Sequence, residues 1–235
     1  MSAGRIEPLG DCALLIHFGT GIDPAVNALA LTAAHALLAA DLPGLRDIAP
    51  AYASVCLQYD PCAWADPAGV QSPHARIAAR ISGIVENLQT PRSNPDVATI
   101  DIPVCYGGDF GPDLGEVARH ANMSVDEVVE RHCAGEYRVA MLGFAPGFPY
   151  LIGLDAALCT PRLPSPRLRV PAGSVAIGGK QTGVYPRELP GGWRLIGRTP
   201  LRLFDPVREP PALFAPGGRV RFRAIAADAF AAAPA

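Results

Sequence analysis

Val170-Pro-Ala-Gly-Ser-Val-Ala-Ile-Gly-Gly-Lys-Gln-Thr-Gly-Val-Tyr-Pro186 is the stretch whose reading decides the fold. Ser174 to Ile177 reads as a strand that enters a Gly178-Gly179 turn, followed by polar Lys180, Gln181 and Thr182 and then Gly183. Upstream, Tyr137-Arg-Val-Ala-Met-Leu142 is a further strand, running into the proline- and glycine-rich loop Gly143-Phe-Ala-Pro-Gly-Phe-Pro-Tyr150. Downstream, Arg219-Val-Arg-Phe-Arg223 alternates charge with apolar side chains, so one face turns inward and the other outward. Short strands punctuated by Pro and Gly almost to the end describe a small closed β-barrel, with an Ala-rich frayed tail expected after Ala224.

Between Thr99 and Glu136 the pattern changes. A strand over Thr99–Tyr106 breaks at Gly107-Gly108, and two short helices follow, each opened by capping-box spacing: Asp113 with Glu116, and Ser124 with Glu127. Val125, Val128, Val129 and His132 share one face of the second helix.

The first ninety residues read differently. Two short strands flank Gly10-Asp11, and Asp23-Pro24 caps a helix carrying Val26, Leu29, Ala30, Ala33 and Leu37. A strand pair (Leu45 to Ala49, Ala53 to Tyr59) precedes a second helix, opened by Ser72-Pro73 and carrying Ile77, Ile81, Ile84, Val85 and Leu88. The order ββαββα describes a two-layer α+β domain. Thr90 to Asp96 has linker composition, so the expected domains are 1–92 (α+β) and 93–235 (mainly-β barrel).

Composition excludes several classes. With 49% hydrophobic and 18% charged residues in 235, extended disorder is excluded; 24 Gly and 25 Pro without a three-residue period exclude collagen and disfavour a helical bundle. A net charge of −2 argues against a nucleic-acid binder. No apolar run is long enough for a membrane span, Glu7 and Asp11 interrupt any secretory signal, and six cysteines without a CxxC pair suit a reduced cytoplasm. Charge is unevenly placed, however. Arg162 to Arg202 holds eight basic residues against the single acid Glu188, which favours an anionic ligand or partner.

Three segments could carry chemistry. The rigid loop with Phe144, Phe148 and Tyr150 suits a pocket wall or an interface anchor, or else plugs a barrel end. The Gly178–Gly183 segment can let a ligand approach the backbone, or is simply a hairpin turn; it is not a P-loop, since Ser174 stands in the place of the first glycine and Gln181 in that of the hydroxyl residue. Pro190-Gly-Gly-Trp-Arg-Leu-Ile-Gly-Arg198 has a cationic face. His132 reads as a core histidine, with a partly buried general base as the alternative. Cys105 reads as a strand thiol rather than a nucleophile, and the remaining histidines lack metal-ligand spacing, so no metal site is expected.

Met141 to Leu151, Pro171 to Pro186 and Pro190 to Pro206, with Ile102 to Asp113 and Leu9 to Leu15, resemble the family called allophanate hydrolase subunit 1 or the 5-oxoprolinase B subunit. Its relatives include a Kip-type inhibitor of a sensor histidine kinase and carboxyltransferase subdomains C and D of urea carboxylase. The resemblance implies a DCoH-like N-terminal domain and a cyclophilin-like C-terminal barrel. It further implies two partners, an allophanate hydrolase subunit 2-like C subunit and a LamB-type A subunit, and ATP bound by the complex. Together these would open the anionic 5-oxo-L-proline to L-glutamate. Cys12 and Lys180 depart from the family pattern. The expected substrate pocket is built from Tyr137, Phe144, Phe148, Arg169, Gln181, Thr182, Tyr185 and Arg198, with aromatic walls, Gln181 and Thr182 on the lactam or a phosphate, and Arg169 or Arg198 on a carboxylate. Turnover of urea or allophanate, or inhibition of a kinase, are the alternative activities.

Overall fold

The computed structural model describes residues 4–88 and 98–232. The chain divides into two units, 1–95 and 96–235. The boundary expected at 92/93 and its linker lie outside the described residues.

In the first unit, strands β1 (Arg5–Pro8), β2 (Ala13–His17), β3 (Leu45–Pro50) and β4 (Ser54–Tyr59) form an antiparallel sheet in the order β1-β2-β4-β3. Helix α1 (Pro24–Ala39) separates β2 from β3, and α2 (Pro73–Glu86) follows β4 after a 3-10 turn over Pro61–Trp64 that the residue pattern does not announce. Both helix starts are set locally. Asp23 accepts from the Ala25 and Val26 amides, Ser72 accepts from Ala75, and a proline occupies the first turn of each. Ala30, Ala33 and Leu37 of α1 and Ile77, Ile81 and Val85 of α2 then pack with Leu14, Ile16, Val55 and Leu57 in one core, so both helices cover the same sheet face.

The second unit contains β5 (Thr99–Tyr106), α3 (Leu114–Ala121), α4 (Val125–Ala134), β6 (Tyr137–Leu142), β7 (Pro149–Ile152), β8 (Arg167–Val170), β9 (Ser174–Gly178), β10 (Gln181–Val184), β11 (Leu189–Gly191), β12 (Arg194–Arg198), β13 (Arg219–Ala224) and α5 (Ala227–Ala232). Seven of its strands close a barrel in the order β10-β7-β6-β13-β5-β12-β9, while β8 and β11 form a separate two-stranded ribbon. β13 runs parallel to β5, which closes the barrel with a strand distant in sequence. Alternation decides the faces: Val220 and Phe222 are buried whereas Arg221 and Arg223 are exposed and share Asp101. The Ala-rich tail is not frayed throughout; α5 lays Phe230 on Phe110 with centroids 4.6 Å apart. Among the described residues no helix is long and apolar enough to cross a membrane.

The two short helices start differently from one another. Ser124 and Glu127 close a reciprocal capping box. Asp113 stands at the N-cap of α3 without capping it: Oδ1 accepts from Arg167 at 2.7 Å and Oδ2 from the Leu195 amide at 2.7 Å. The carboxylate expected to serve its own helix is claimed instead by the ribbon and by a barrel strand.

Candidate functional site: an aromatic cavity on the outer barrel face

Successive residues of a strand point to opposite faces, so each barrel strand feeds two clusters. Val175 and Ile177 of β9, Val184 of β10, Leu151 of β7 and Ile196 of β12 belong to the inner core. Ala176, Tyr185, Phe148, Leu195 and Trp193 form a second cluster on the outside, with Val170 of the ribbon and Tyr150 against it.

A cavity of about 280 Å³ opens there, lined by Phe144, Phe148, Tyr150, Tyr185 and Trp193, with Arg162 and the backbone around Pro190–Gly192. The rings hold one another edge-on. Phe148 meets Tyr185 at 5.2 Å, Trp193 at 5.8 Å and Phe144 at 5.5 Å, each near perpendicular. Such contacts contribute about 0.5–1.5 kcal/mol apiece beyond burial and fix the wall geometry. Phe148 is fully buried, while Phe144, with φ +66°, is 58% exposed. Burial pushes the Tyr150 and Tyr185 phenols up, and the nearby positive charge of Arg162 pulls each partly back.

Two glycines make room for the indole. A Cβ on Gly178 would lie 2.6 Å from Trp193 ring atoms, and one on Gly183 would lie 3.1 Å from its Cζ3. The Gly178–Gly183 segment therefore admits a side chain of this protein against its backbone. Gly178→Val should displace Trp193, redden its fluorescence and cost about 1–3 kcal/mol, the usual penalty for overpacking; an unchanged emission maximum would contradict the packing.

The expected site residues separate into groups. Phe144, Phe148 and Tyr185 do line the cavity. Tyr137 and Thr182 do not; both are buried around His132. Gln181 is buried on β10, paired with Gly178, and does not line the cavity. Arg169 points to solvent with Glu188 at 3.6 Å, and Arg198 donates to the Ala172 carbonyl at 2.7 Å while lying over Phe230. Neither arginine lines the cavity. The residues missing from that set are Tyr150, Trp193 and Arg162. Paired glycines facing a tryptophan are a legible hint for Trp193, but no local signal brings Arg162 to it.

His132 is a core residue. It is fully buried against Tyr137 and Phe222, with centroids at 5.4 and 4.4 Å, and desolvation lowers its pKa to about 3. Its tautomer follows from proton counting. The single Thr182 hydroxyl proton goes to the Ala176 carbonyl at 3.0 Å, so His132 Nε2 donates to Thr182 Oγ1 at 3.2 Å. Nδ1 is then a lone pair, and the Tyr106 hydroxyl donates to it at 2.7 Å. A histidine held neutral with both nitrogens occupied positions α4 on the barrel and has no free lone pair to act as a base.

A larger open trough of about 990 Å³ lies elsewhere, between Asp126 and Glu130 of α4 and Arg221 and Arg223 of β13. Its two arginines share the single carboxylate of Asp101, and the only aromatic rings along it are those of Tyr106 and Phe222 among the described residues. The smaller cavity has the convergent walls that a ligand site needs.

The chain belongs to the family of the carboxyltransferase domain, subdomain C and D, which matches residues 4–214. Within it, the chain is similar to the 5-oxoprolinase B subunit of Bacillus subtilis, 45% identical over 224 residues that make up 93% of this chain and 91% of that protein. It is also similar to the 5-oxoprolinase B subunit of Escherichia coli O157:H7, 59% identical over 128 residues, 54% of this chain and 59% of that one. The crystal structure of TTHA0988 superposes with TM-score 0.76 at 41% identity over 91% of this chain, which spans only 40% of that larger chain. The conserved uncharacterized protein PH0987 from Pyrococcus horikoshii is matched over its whole length, covering 96% of this chain at TM-score 0.56 and 46% identity. Kluyveromyces lactis urea carboxylase shares the fold, at TM-score 0.71 over 96% of this chain and 22% of the enzyme, with 18% identity.

Proposed function

We propose that this protein is the B subunit of an ATP-dependent 5-oxoprolinase, a hydrolase component that works only with partner subunits. The observation that carries the reading is the 45% identity to a protein of that name across nine-tenths of both chains. In this reading the domains are 1–92, DCoH-like, and 93–235, a cyclophilin-like barrel, and the complex is cytoplasmic. The partners are an allophanate hydrolase subunit 2-like C subunit and a LamB-type A subunit. One water opens the lactam C–N bond to give the carboxylate and amine of L-glutamate, while ATP and a second water become ADP and phosphate. A lactam is a stabilised amide, so coupling to ATP supplies a driving force that plain hydrolysis lacks. The nucleotide belongs to the complex rather than to this chain's aromatic cavity, whose 280 Å³ is small for it.

The aromatic cavity is the substrate-facing surface of this protein in the same reading. The exposed ring of Phe144 and the half-buried ring of Tyr150 pack on a flat lactam, and the mutual contacts of the buried Phe148, Tyr185 and Trp193 behind them keep the walls in place before binding. The test is ATP hydrolysis by the three reconstituted chains. ADP release should depend on 5-oxo-L-proline and on all three of them. Turnover with urea or allophanate instead, or inhibition of a histidine kinase's autophosphorylation without any turnover, would replace the assignment.

A further inference from the structure

We infer that Arg162 selects the occupant of the aromatic cavity by its carboxylate, so that the cavity takes a small flat ring bearing one carboxyl group in preference to a neutral amide. The inference rests on the substrate placement proposed above and adds a specificity-determining residue to it.

Five other cations of the basic stretch are committed to other groups, and the exposed Lys180 and Arg187 do not line the cavity. Arg167 is paired with Asp113, Arg169 with Glu188, Arg194 with Glu116 and Arg202 with Asp205, while Arg198 holds a carbonyl. Arg162 makes no hydrogen bond or ion pair with the described residues. It lies on the cavity wall with its guanidinium carbon 5.6 Å from the centroid of the Trp193 ring. Contact with an indole face holds the cation by its π surface and leaves its N–H edge free. That edge is a planar fork matched to the two oxygens of a carboxylate, which a neutral amide cannot engage in the same way. The indole itself is seated on Gly178 and Gly183, so the cation rests on a fixed platform.

The charge also reaches into the cavity, since it bears on both Tyr150 and Tyr185. Phe144 and Tyr150 offer the accessible ring surface of the cavity, and no carboxylate among the described residues lines it. A ligand complementary to these walls is flat and apolar on one side and anionic at one edge. 5-Oxo-L-proline has that form; 2-pyrrolidinone is the same ring without the carboxylate.

The pair gives the experiment. In a Trp64→Phe background, Trp193 is the sole tryptophan, and its fluorescence reports titration with each lactam. We expect 5-oxo-L-proline to bind at least tenfold more tightly than 2-pyrrolidinone. Arg162→Met keeps an unbranched stem on the indole but removes the fork; it should weaken 5-oxo-L-proline at least tenfold and alter 2-pyrrolidinone less than twofold. Arg162→Lys, with charge but no fork, should fall between. In the reconstituted complex Arg162→Met should raise KM with kcat largely kept. Equal affinity for the two lactams, an unaffected Arg162→Met protein, or no response from either this chain or the complex overturns the inference. If the complex turns over 5-oxo-L-proline and Arg162→Met leaves KM unchanged, the enzyme assignment stands and Arg162 is dismissed. If only urea or allophanate is turned over, the assignment falls, and the Trp193 titration still decides whether the cavity prefers a carboxylate.

Discussion

Between pH 7.5 and pH 4.5 the second unit should lose about 2–3 kcal/mol of stability through His132 alone. The sign follows from where the proton binds. In the fold His132 stays neutral down to about pH 3, because charging it would bury an imidazolium among Tyr106, Tyr137 and Phe222. Once unfolded, the same imidazole takes a proton below its ordinary value of 6.5. The unfolded chain therefore binds more protons across that window, and stability falls as pH falls. The contribution is fully present above 6.5 and is lost progressively toward 3.

His132→Gln should be less stable at pH 7.5, since it cannot reproduce both bonds to Tyr106 and Thr182. Its stability should nevertheless change much less between pH 7.5 and 4.5. Urea unfolding followed through Trp193 in the Trp64→Phe background reads both midpoints. Paired carboxylates such as Asp101 and Asp155, held low by their arginines and hydrogen bonds, lose that support only at more acid pH and leave the window to the histidine. Parallel profiles for the two proteins would mean that His132 is charged or solvated in the fold, and the buried relay would have to be abandoned.

What the amino-acid order makes legible is governed by distance along the chain. Asp23-Pro24, Ser72-Pro73 and Ser124 with Glu127 mark helix starts through bonds spanning two or three residues, and all three form. The alternation in Arg219–Arg223 reports its faces because a strand's period is a backbone property. Asp113 with Glu116 has the same local signature and a different outcome. Leu195, far along the chain, supplies an amide that competes better for the carboxylate than the helix does. The candidate site shows the same division. Phe144 and Phe148 share one short loop, so their joint appearance can be anticipated. The choice among eight cations of the basic stretch cannot, because Arg169 and Arg162 differ only in what the folded chain places next to each. Thr182 likewise reads as a ligand for a lactam, whereas strand parity turns it inward to His132.

Asp113→Ala should cost about 3 kcal/mol, the largest single-residue loss expected from a side chain away from the hydrophobic cores. The carboxylate is buried and holds two groups at once: Arg167 Nη2 at 2.7 Å and the Leu195 amide at 2.7 Å, while its own amide returns a bond to the Leu195 carbonyl at 2.9 Å. Removing it leaves a buried N–H and a guanidinium whose Nη1 is already buried without a hydrogen bond. Arg167 retains some exposure, which holds the figure at the low end of the range for broken buried pairs. Asp113→Asn keeps an acceptor for Leu195 and should cost about 1–2 kcal/mol. Adding Arg167→Met to Asp113→Ala should recover part of the loss, since no cation is then stranded. The consequence extends to the cavity, because Arg167 lies on the ribbon paired with Gly191 and Leu195 follows Trp193 by two residues. Asp113→Ala should therefore weaken the binding of 5-oxo-L-proline even where the barrel remains folded. A loss below about 1 kcal/mol with lactam affinity intact would show that the ribbon and β12 are held by their strand pairing alone.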